Sequence, residues 1–286
     1  MIKLIASDMD GTLLNSNHEI SKENLQAIKK AEEMGVKFAI STGRMYEDVK
    51  PLLDECDLKC QCIVLNGGEY IDEEGKVLEG IYIGKKEARE IINMILKENI
   101  VAEIYTDKGL YTVNTKEEAL MEVAYRIIAF NPETNFENAI KLAETHPHFV
   151  NLKYIIDIDE FLNSDIKIGK FVAFYNDEDT TIKVKNKLKC IGELAITGTF
   201  TKNIEINNKE AQKGFILAKV ADKMGIKRDE VMVIGDSFND YTMFTEFTES
   251  FAMENAVPEI KEIAKYITDT NDNNGVARAI YKILNI

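Results

Sequence analysis

Residues 3–14 read KLIASDMDGTLL, in which a short apolar run gives way to two aspartates, Asp8 and Asp10, separated by one residue. The run Leu4 to Ala6 predicts a buried strand, and Gly11 predicts the tight turn that ends it. Because side chains alternate along an extended chain, both carboxylates are expected on one side just beyond the strand. Two like charges about 4 Å apart repel by roughly 4 kcal/mol at an effective dielectric near 20, so we expect a cation or a proton between them.

The same pattern of an apolar strand followed by a polar loop recurs at both ends of the chain. Strands are predicted at Val36 to Ser41, Cys62 to Leu65, Val231 to Ile234, Ser250 to Ala252 and Tyr266 to Thr268, and a hairpin at Tyr70 to Ile83. Helices are predicted at Ile20 to Gly35, Met45 to Cys56, Ala211 to Met224, Asn239 to Phe247, Val257 to Lys265 and Gly275 to Leu284. This alternation predicts an α/β fold with a Rossmann-like parallel sheet and right-handed crossovers.

The middle of the chain mixes hairpins and helices and does not continue the parallel repeat. Strand-like runs are at Val101 to Thr106, Leu110 to Asn114, Asn151 to Ile156, Lys170 to Tyr175 and Leu194 to Thr199, and helices at Ala88 to Leu96, Lys116 to Ala129 and Thr180 to Leu188. We therefore predict a catalytic core formed by residues 1–83 and 204–286, with an α+β cap inserted at 84–203.

Composition limits the partners and the compartment. A net charge of −14 and an isoelectric point near 4.9 argue against a nucleic-acid or membrane partner, because no basic excess is present. The chain shows no signal pattern or membrane-spanning apolar run, and its four cysteines are expected to be free thiols in a cytoplasmic protein. Cys60 and Cys62 are half of a zinc site in a less favoured interpretation, and His146 and His148 are expected to be exposed loop residues.

Three predicted strands end in polar loops that carry two aspartates, Thr42-Gly43-Arg44, and Gly235-Asp236 with Asn239-Asp240. Ligands of open α/β sheets bind beyond the carboxyl ends of the strands, so these loops are expected to converge. Asp8, Asp10, Asp236 and Asp240 would then offer the hard oxygen ligands that Mg²⁺ prefers.

Each motif also has a simpler interpretation when it is taken alone. The Asp-x-Asp-Gly turn is compatible with a solvated loop, although Leu13 excludes an EF-hand, which requires glycine there. Thr42 is compatible with a helix cap, Arg44 with a surface cation and Lys213 with a solvated lysine.

In combination, the order of these motifs resembles the haloacid dehalogenase-like (HAD) superfamily. Ser-Thr-Gly-Arg, Asn-Gly-Gly, Gly-Asp-Ser-Phe-Asn-Asp and Ala-Met-Glu-Asn-Ala, together with the inserted unit, resemble its Cof-type (subfamily IIB) phosphatases. The resemblance extends over the whole chain. It implies the HAD fold with a cap of the C2B type.

The resemblance implies roles for the motif residues. Asp8 would be the nucleophile that forms an aspartyl-phosphate, and Asp10 the general acid and base. Mg²⁺ would be held by Asp8, Asp236 and the backbone carbonyl of Asp10. Thr42 would donate to a phosphoryl oxygen and Lys213 would supply fixed positive charge, with Ser41 as an alternative hydroxyl donor.

The remaining motif residues are expected to bind phosphate or substrate, or to position the groups that do. They are Gly43, Arg44, Asn66, Gly67, Asn239, Asp240 and Asn255. The chain departs from the commonest family pattern at Gln212, where Ser is frequent, and at Glu254, where Gly is frequent. The first departure bears on the assignment of Lys213, and the second on the rim of the pocket.

The implied function is hydrolysis of a small phosphorylated metabolite, such as a sugar phosphate, without a required oligomer. The alternatives are a phosphomutase or phosphotransferase that uses the same intermediate, and a phospho-accepting receiver-like module, which is usually much shorter. A dehalogenase is disfavoured because it needs neither the second aspartate nor the metal. In the cap, Tyr105, Tyr111, Tyr125 and Arg126 are candidates for substrate contact, but packing roles are favoured.

Overall fold

The computed structural model describes residues 1–175, 177–198 and 201–286. The chain divides into two compact units, a core formed by Met1–Ile81 with Glu210–Ile286, and an inserted unit formed by Tyr82–Lys209.

The elements follow in chain order. The first core segment contains β1 (Leu4–Ser7), α1 (Lys22–Glu33), β2 (Lys37–Ser41), α2 (Tyr46–Glu55), β3 (Gln61–Val64), β4 (Glu69–Ile71) and β5 (Val77–Gly80). The inserted unit contains α3 (Lys85–Lys97), β6 (Glu103–Thr106), β7 (Gly109–Thr112), α4 (Lys116–Phe130), α5 (Phe136–Ala143), α6 (Pro147–Val150), β8 (Lys153–Tyr154), α7 (Ile158–Asn163), β9 (Ile168–Phe174), α8 (Glu178–Leu188), β10 (Leu194–Thr197) and β11 (Asn203–Asn208). The second core segment contains α9 (Lys213–Lys223), β12 (Val231–Gly235), α10 (Tyr241–Glu246), β13 (Glu249–Ala252), α11 (Pro258–Ile263), β14 (Tyr266–Ile267) and α12 (Gly275–Leu284). Short 3-10 helices cover Leu65–Gly67, Arg228–Glu230, Phe238–Asp240 and Asn271–Asn273.

The core is an eight-stranded sheet in the order β14-β13-β12-β1-β2-β3-β4-β5. All pairs from β14 to β3 are parallel, and β4 and β5 form the predicted antiparallel hairpin. β1 is buried along its whole length, as expected of a strand in the middle of a parallel sheet. Ser7 is in register with Ile40 of β2 and Ile234 of β12, so the loops that follow these three strands leave the sheet at the same edge. The α/β fold predicted from the sequence is confirmed.

Local sequence explains how the first crossover is built. Ser21 caps α1 by accepting a hydrogen bond from the Asn24 backbone N–H at 3.1 Å, and Gly35 adopts a φ of +81° just after the helix. Ala27, Ile28 and Ala31 form the buried face of the helix. The cap and the buried face agree with the predicted helix.

The inserted unit has its own six-stranded sheet, in the order β10-β11-β9-β6-β7-β8. One face contributes Ile104, Phe171 and Ala173 to an apolar core that also contains residues of α3 and α8. Glu103 and Lys170, at the alternate positions that face the other side of the sheet, are polar and buried. Four elements here were not predicted, namely α5, α6, α7 and β11. β10 ends at Thr197, and Thr199, the predicted end of that strand, lies outside the described residues.

The prediction that His146 and His148 are exposed loop residues is wrong. Both are partly buried, and His148 belongs to a buried ionic cluster in the inserted unit. His146 caps α6, and His148 Nδ1 lies 2.9 Å from Glu103 Oε2 and 2.8 Å from Arg126 Nη1. Arg126 Nη2 donates to Glu103 Oε2 at 2.5 Å and to Glu122 Oε1 at 3.3 Å. His148 thus provides a polar partner for the buried carboxylate of Glu103.

The favoured packing interpretation holds for Tyr105 and Arg126. Both side chains are buried, and Arg126 Nη1 donates to the Tyr105 hydroxyl at 3.0 Å. Tyr111 packs against Phe161, and Tyr125 against Phe136. In the part of the chain that the structure describes, no helix has the length and apolar character needed to cross a membrane.

Candidate active site

Three carboxylates meet at the edge where β1 and β12 end. Asp8 follows β1, while Asp236 and Asp240 lie in the turn after β12, and each offers an oxygen within 4.8 Å of the other two. All three side chains are buried. Residues more than two hundred positions apart are brought together because β1 and β12 are neighbouring parallel strands.

Lys213, the first residue of α9, holds two of these carboxylates. Its Nζ donates to Asp8 Oδ1 and to Asp240 Oδ1, both at 2.6 Å, and the side chain is fully buried. Burial alone would lower the pKa of Lys213, but Asp240 and Asp8 outweigh burial and raise it. The ammonium is therefore a fixed positive charge, and the interpretation of Lys213 as a solvated lysine is wrong.

A glycine at position 67 allows the start of α9 to approach the site. Gly67 has a φ of +102°, and a Cβ there would lie 2.8 Å from the backbone carbon of Gln212. A larger residue would push away the backbone that directly precedes Lys213.

Asp240 holds the backbone of its turn in place and also adds a carboxylate to the site. Its Oδ2 accepts the backbone N–H groups of Asp236 at 2.9 Å and Ser237 at 3.0 Å, and its Oδ1 accepts from Lys213. These bonds use both oxygens, so Asp240 fixes the turn that carries Asp236. Asp8 differs, since no described residue donates a hydrogen bond to its Oδ2.

Two hydroxyl groups orient Asp236. Thr12 Oγ1 donates to Oδ1 and Ser237 Oγ donates to Oδ2, both at 2.8 Å. Burial and the charge of Asp240 raise the pKa of Asp236 to about 6, although both hydroxyl groups oppose the shift. Burial is also the main cause that raises the pKa of Asp8, with Lys213 opposing it. Sequence reasoning missed Thr12 and Ser237, whose only signal is a hydroxyl residue next to each acidic motif.

The carboxylate of Asp10 does not join the group, contrary to the expected pairing with Asp8. Arg44 binds it with both Nε, at 2.8 Å from Oδ2, and Nη2, at 2.6 Å from Oδ1. About a quarter of each of the two side chains is exposed. The expected repulsion between Asp8 and Asp10 is relieved by a separate cation for each, Lys213 and Arg44.

The loop after β2 presents Thr42, Gly43 and Arg44 at the same edge. Thr42 is buried, and its Oγ1 accepts the Arg44 backbone N–H at 3.2 Å, which leaves its own hydroxyl hydrogen to be donated. Gly43 is half-buried. The neighbouring Ser41 Oγ is buried and has no hydrogen-bond partner among the described residues, so Ser41 stays an alternative donor.

Three polar side chains tie the remaining loops together. Asn66 has a left-handed backbone, with a φ of +59°, and its Oδ1 accepts from Asn239 Nδ2 at 3.2 Å. Asn255 Nδ2 donates to the carbonyl oxygen of Gly11 at 2.7 Å. Asn66 and Asn239 thus link the loops after β3 and β12, and Asn255 holds the turn after β1.

The donor set fits a hard divalent cation. When all three carboxylates are ionised, the one ammonium leaves two of the negative charges uncompensated in a buried site. Such an excess is costly unless a cation is bound, and Mg²⁺ takes carboxylate oxygen. Among the residues that the structure describes, no histidine or cysteine completes a comparable group, so the zinc interpretation of Cys60 and Cys62 gains no support.

Comparison with known proteins places this chain in a family. A family model of haloacid dehalogenase-like hydrolases matches residues 5–280. The 5-amino-6-(5-phospho-D-ribitylamino)uracil phosphatase YwtE of Bacillus subtilis (strain 168) is 35% identical over 99% of this chain and 98% of its own.

Solved structures share the fold. A haloacid dehalogenase-like hydrolase from B. subtilis has a TM-score of 0.85 and 31% identity, and the match covers 98% of this chain and 99% of that one. The HAD subclass IIB sugar phosphatase BT4131 has a TM-score of 0.77 and 21% identity, with 99% and 100% covered. The predicted fold and enzyme class are confirmed, and the chain belongs to the haloacid dehalogenase-like hydrolase family.

Proposed function

We propose that this hydrolase is a Mg²⁺-dependent phosphatase that cleaves small phosphomonoesters through an aspartyl-phosphate on Asp8. The observation that carries the proposal is the group of three buried carboxylates, Asp8, Asp236 and Asp240, of which Asp8 and Asp240 bind the buried ammonium of Lys213. A carboxylate nucleophile divides one difficult displacement into two easier ones.

In the first step, Oδ2 of Asp8 attacks phosphorus and the bond to the ester oxygen breaks. The leaving oxygen takes the proton of Asp10 and departs as an alcohol. In the structure Asp10 is paired with Arg44, so this pair must open before Asp10 carries that proton. Thr42 donates to a phosphoryl oxygen, and Lys213 compensates the charge that develops.

In the second step, Asp10 takes a proton from water as the water attacks the phosphorus of the aspartyl-phosphate. The bond between phosphorus and the Asp8 oxygen breaks, inorganic phosphate leaves, and Asp10 is again protonated. Asp8 and Asp236 would hold Mg²⁺ with their side chains, and Asp10 with its backbone carbonyl. When bound, the cation shields the anionic phosphoryl group from the carboxylate that attacks it.

The substrate class is proposed from the relatives. YwtE is named for a pyrimidine that carries a phosphorylated ribityl chain. A small phosphorylated polyol or sugar is therefore the first class to test, and the inserted unit is proposed to select the leaving group.

The test is phosphate release from a panel of small phosphate esters, with and without Mg²⁺, by the natural protein and by Asp8→Asn. Asp54→Asn is a matched control, because Asp54 is an exposed aspartate of the same core. We expect activity that is lost on chelation, a loss of at least about a thousandfold in Asp8→Asn, and full activity in the control. Full activity in Asp8→Asn would refute the assignment of the nucleophile, and an isomeric sugar phosphate in place of free phosphate would identify a phosphomutase.

A further inference from the structure

The loop that follows β13 is attached to the strand that carries Asp236. The Met253 N–H donates to the Gly235 carbonyl at 3.1 Å, and the Val257 N–H donates to the Asp236 carbonyl at 2.9 Å. Residues 253–257 are therefore held to the end of β12 at both ends of the segment. Asn255 lies between these two attachment points.

The side chain of Asn255 is engaged at both ends of its amide. Nδ2 donates to the Gly11 carbonyl at 2.7 Å, while Oδ1 accepts the backbone N–H of Asn271 at 3.1 Å. The second bond determines which way the amide points, so that its donor faces Gly11. Asn255 thus connects the loop fixed to Asp236 with the turn that follows Asp8.

That turn rests directly on the Asp236 carboxylate. Gly11 has a φ of +80°, and a Cβ added there would lie 2.7 Å from Asp236 Oδ2. The next residue, Thr12, donates to Asp236 Oδ1 at 2.8 Å. The Gly11 carbonyl that Asn255 binds lies between these two contacts. A small shift of this carbonyl would change the distance between the turn and Asp236.

We propose that Asn255 is a positioning residue that holds the turn after β1 against Asp236 and so sets the spacing of the groups that bind Mg²⁺. This inference rests on the proposed function, because it concerns the same cation site. In this proposal, Asn255 positions the groups that bind Mg²⁺ and does not contact substrate. The sequence had left both roles open.

The test compares Asn255→Ala with Ser16→Ala. Ser16 belongs to the segment just beyond the same turn, and its hydroxyl donates to Asp272 Oδ2 at 2.6 Å, while among the described residues no hydrogen bond joins its side chain to Gly11 or Asp236. The readouts are the Mg²⁺ dissociation constant of each substrate-free protein by calorimetry, the melting temperature, and kcat and KM at saturating Mg²⁺.

Loss of the hydrogen bond from Asn255 to the Gly11 carbonyl is expected to weaken Mg²⁺ binding by about fivefold in Asn255→Ala. KM at saturating Mg²⁺ should stay within about twofold of the natural protein, because in this assignment Asn255 does not contact substrate. Ser16→Ala should bind Mg²⁺ as the natural protein does, and both variants should melt within a few degrees of it.

Three results would overturn the inference: unchanged Mg²⁺ affinity in Asn255→Ala, an equal loss in Ser16→Ala, or a raised KM with unchanged Mg²⁺ affinity, which would place Asn255 on the substrate. In each case the natural protein still binds Mg²⁺ and releases phosphate. A natural protein that binds no Mg²⁺ would instead refute the proposed function, and this inference with it.

Discussion

Lys213→Met keeps much of the length of a fully buried side chain and removes its ammonium group. At the observed 2.6 Å, each contact with Asp8 or Asp240 is worth about 6 kcal/mol at an effective dielectric near 20, before the cost of burying the charges is subtracted. Removing one partner of a buried ion pair typically costs about 3–5 kcal/mol, because the other charge stays buried. For a unit of this size, the melting temperature of the metal-free protein should fall by about 10 °C.

A second substitution separates lost charge balance from lost packing. Adding Asp240→Asn to Lys213→Met removes one of the carboxylates that the ammonium compensated, and we expect about half of the lost stability to return. Lys219→Met is the matched control, since Lys219 lies in the same helix with its side chain 44% exposed, and it should shift the melting temperature by less than about 2 °C.

The assay is thermal unfolding of the metal-free proteins, followed by circular dichroism in the presence of a chelator. A role of the Lys213 ammonium in stability is refuted if Lys213→Met has the melting temperature of the Lys219→Met control, or if adding Asp240→Asn makes the Lys213 variant still less stable.

Three further perturbations test other parts of the structure. Gly11→Ala should cost about 1–2 kcal/mol through its left-handed backbone and weaken Mg²⁺ binding, because its Cβ would lie 2.7 Å from Asp236 Oδ2; urea unfolding and calorimetry measure the two effects. Mg²⁺ at a hundred times its dissociation constant should stabilise the natural protein by about 2.7 kcal/mol but leave the melting temperature of Asp236→Asn unchanged. Burial is the main cause that raises the pKa of Glu122 to about 8, so the folded protein keeps a proton that the unfolded chain releases above about 4.5. Stability should then fall as the pH rises from about 4.5 to 8, by up to about 1.4 kcal/mol per pH unit, and urea unfolding of Glu122→Gln should show a smaller slope.

The strands of the core could be predicted from the sequence, because each is marked by residues that are neighbours in the chain. Each of β1, β2 and β12 is an apolar run that ends in a polar loop, and parallel pairing brings such loops to one edge. The meeting of Asp8 with Asp236 follows from that topology.

The orientation of individual side chains was harder to predict from the sequence. Asp10 turns to Arg44 because a nearby guanidinium relieves the repulsion from Asp8, and a backbone pattern does not report that choice. Thr12 and Ser237 look like ordinary turn residues until their partner Asp236 is placed.

The inserted unit was harder to predict because its sheet buries polar side chains. In β11, only Ile204 and Ile206 are apolar, and they alternate with polar residues that the structure buries, so the apolar pattern that marks the strand in the sequence is short. His148 is partly buried because Glu103 and Arg126, far away in sequence, require a partner.

The central claim is that one divalent cation binds beside Asp8 and that Asp8 carries the phosphoryl group. A crystal structure of the protein with Mg²⁺ and beryllium fluoride, which mimics a phosphoryl group on a carboxylate, tests both halves together. We expect the fluoride complex on an oxygen of Asp8, with the cation between Asp8 and Asp236. Electron density that shows no adduct on Asp8, or a cation bound away from Asp236, would contradict it.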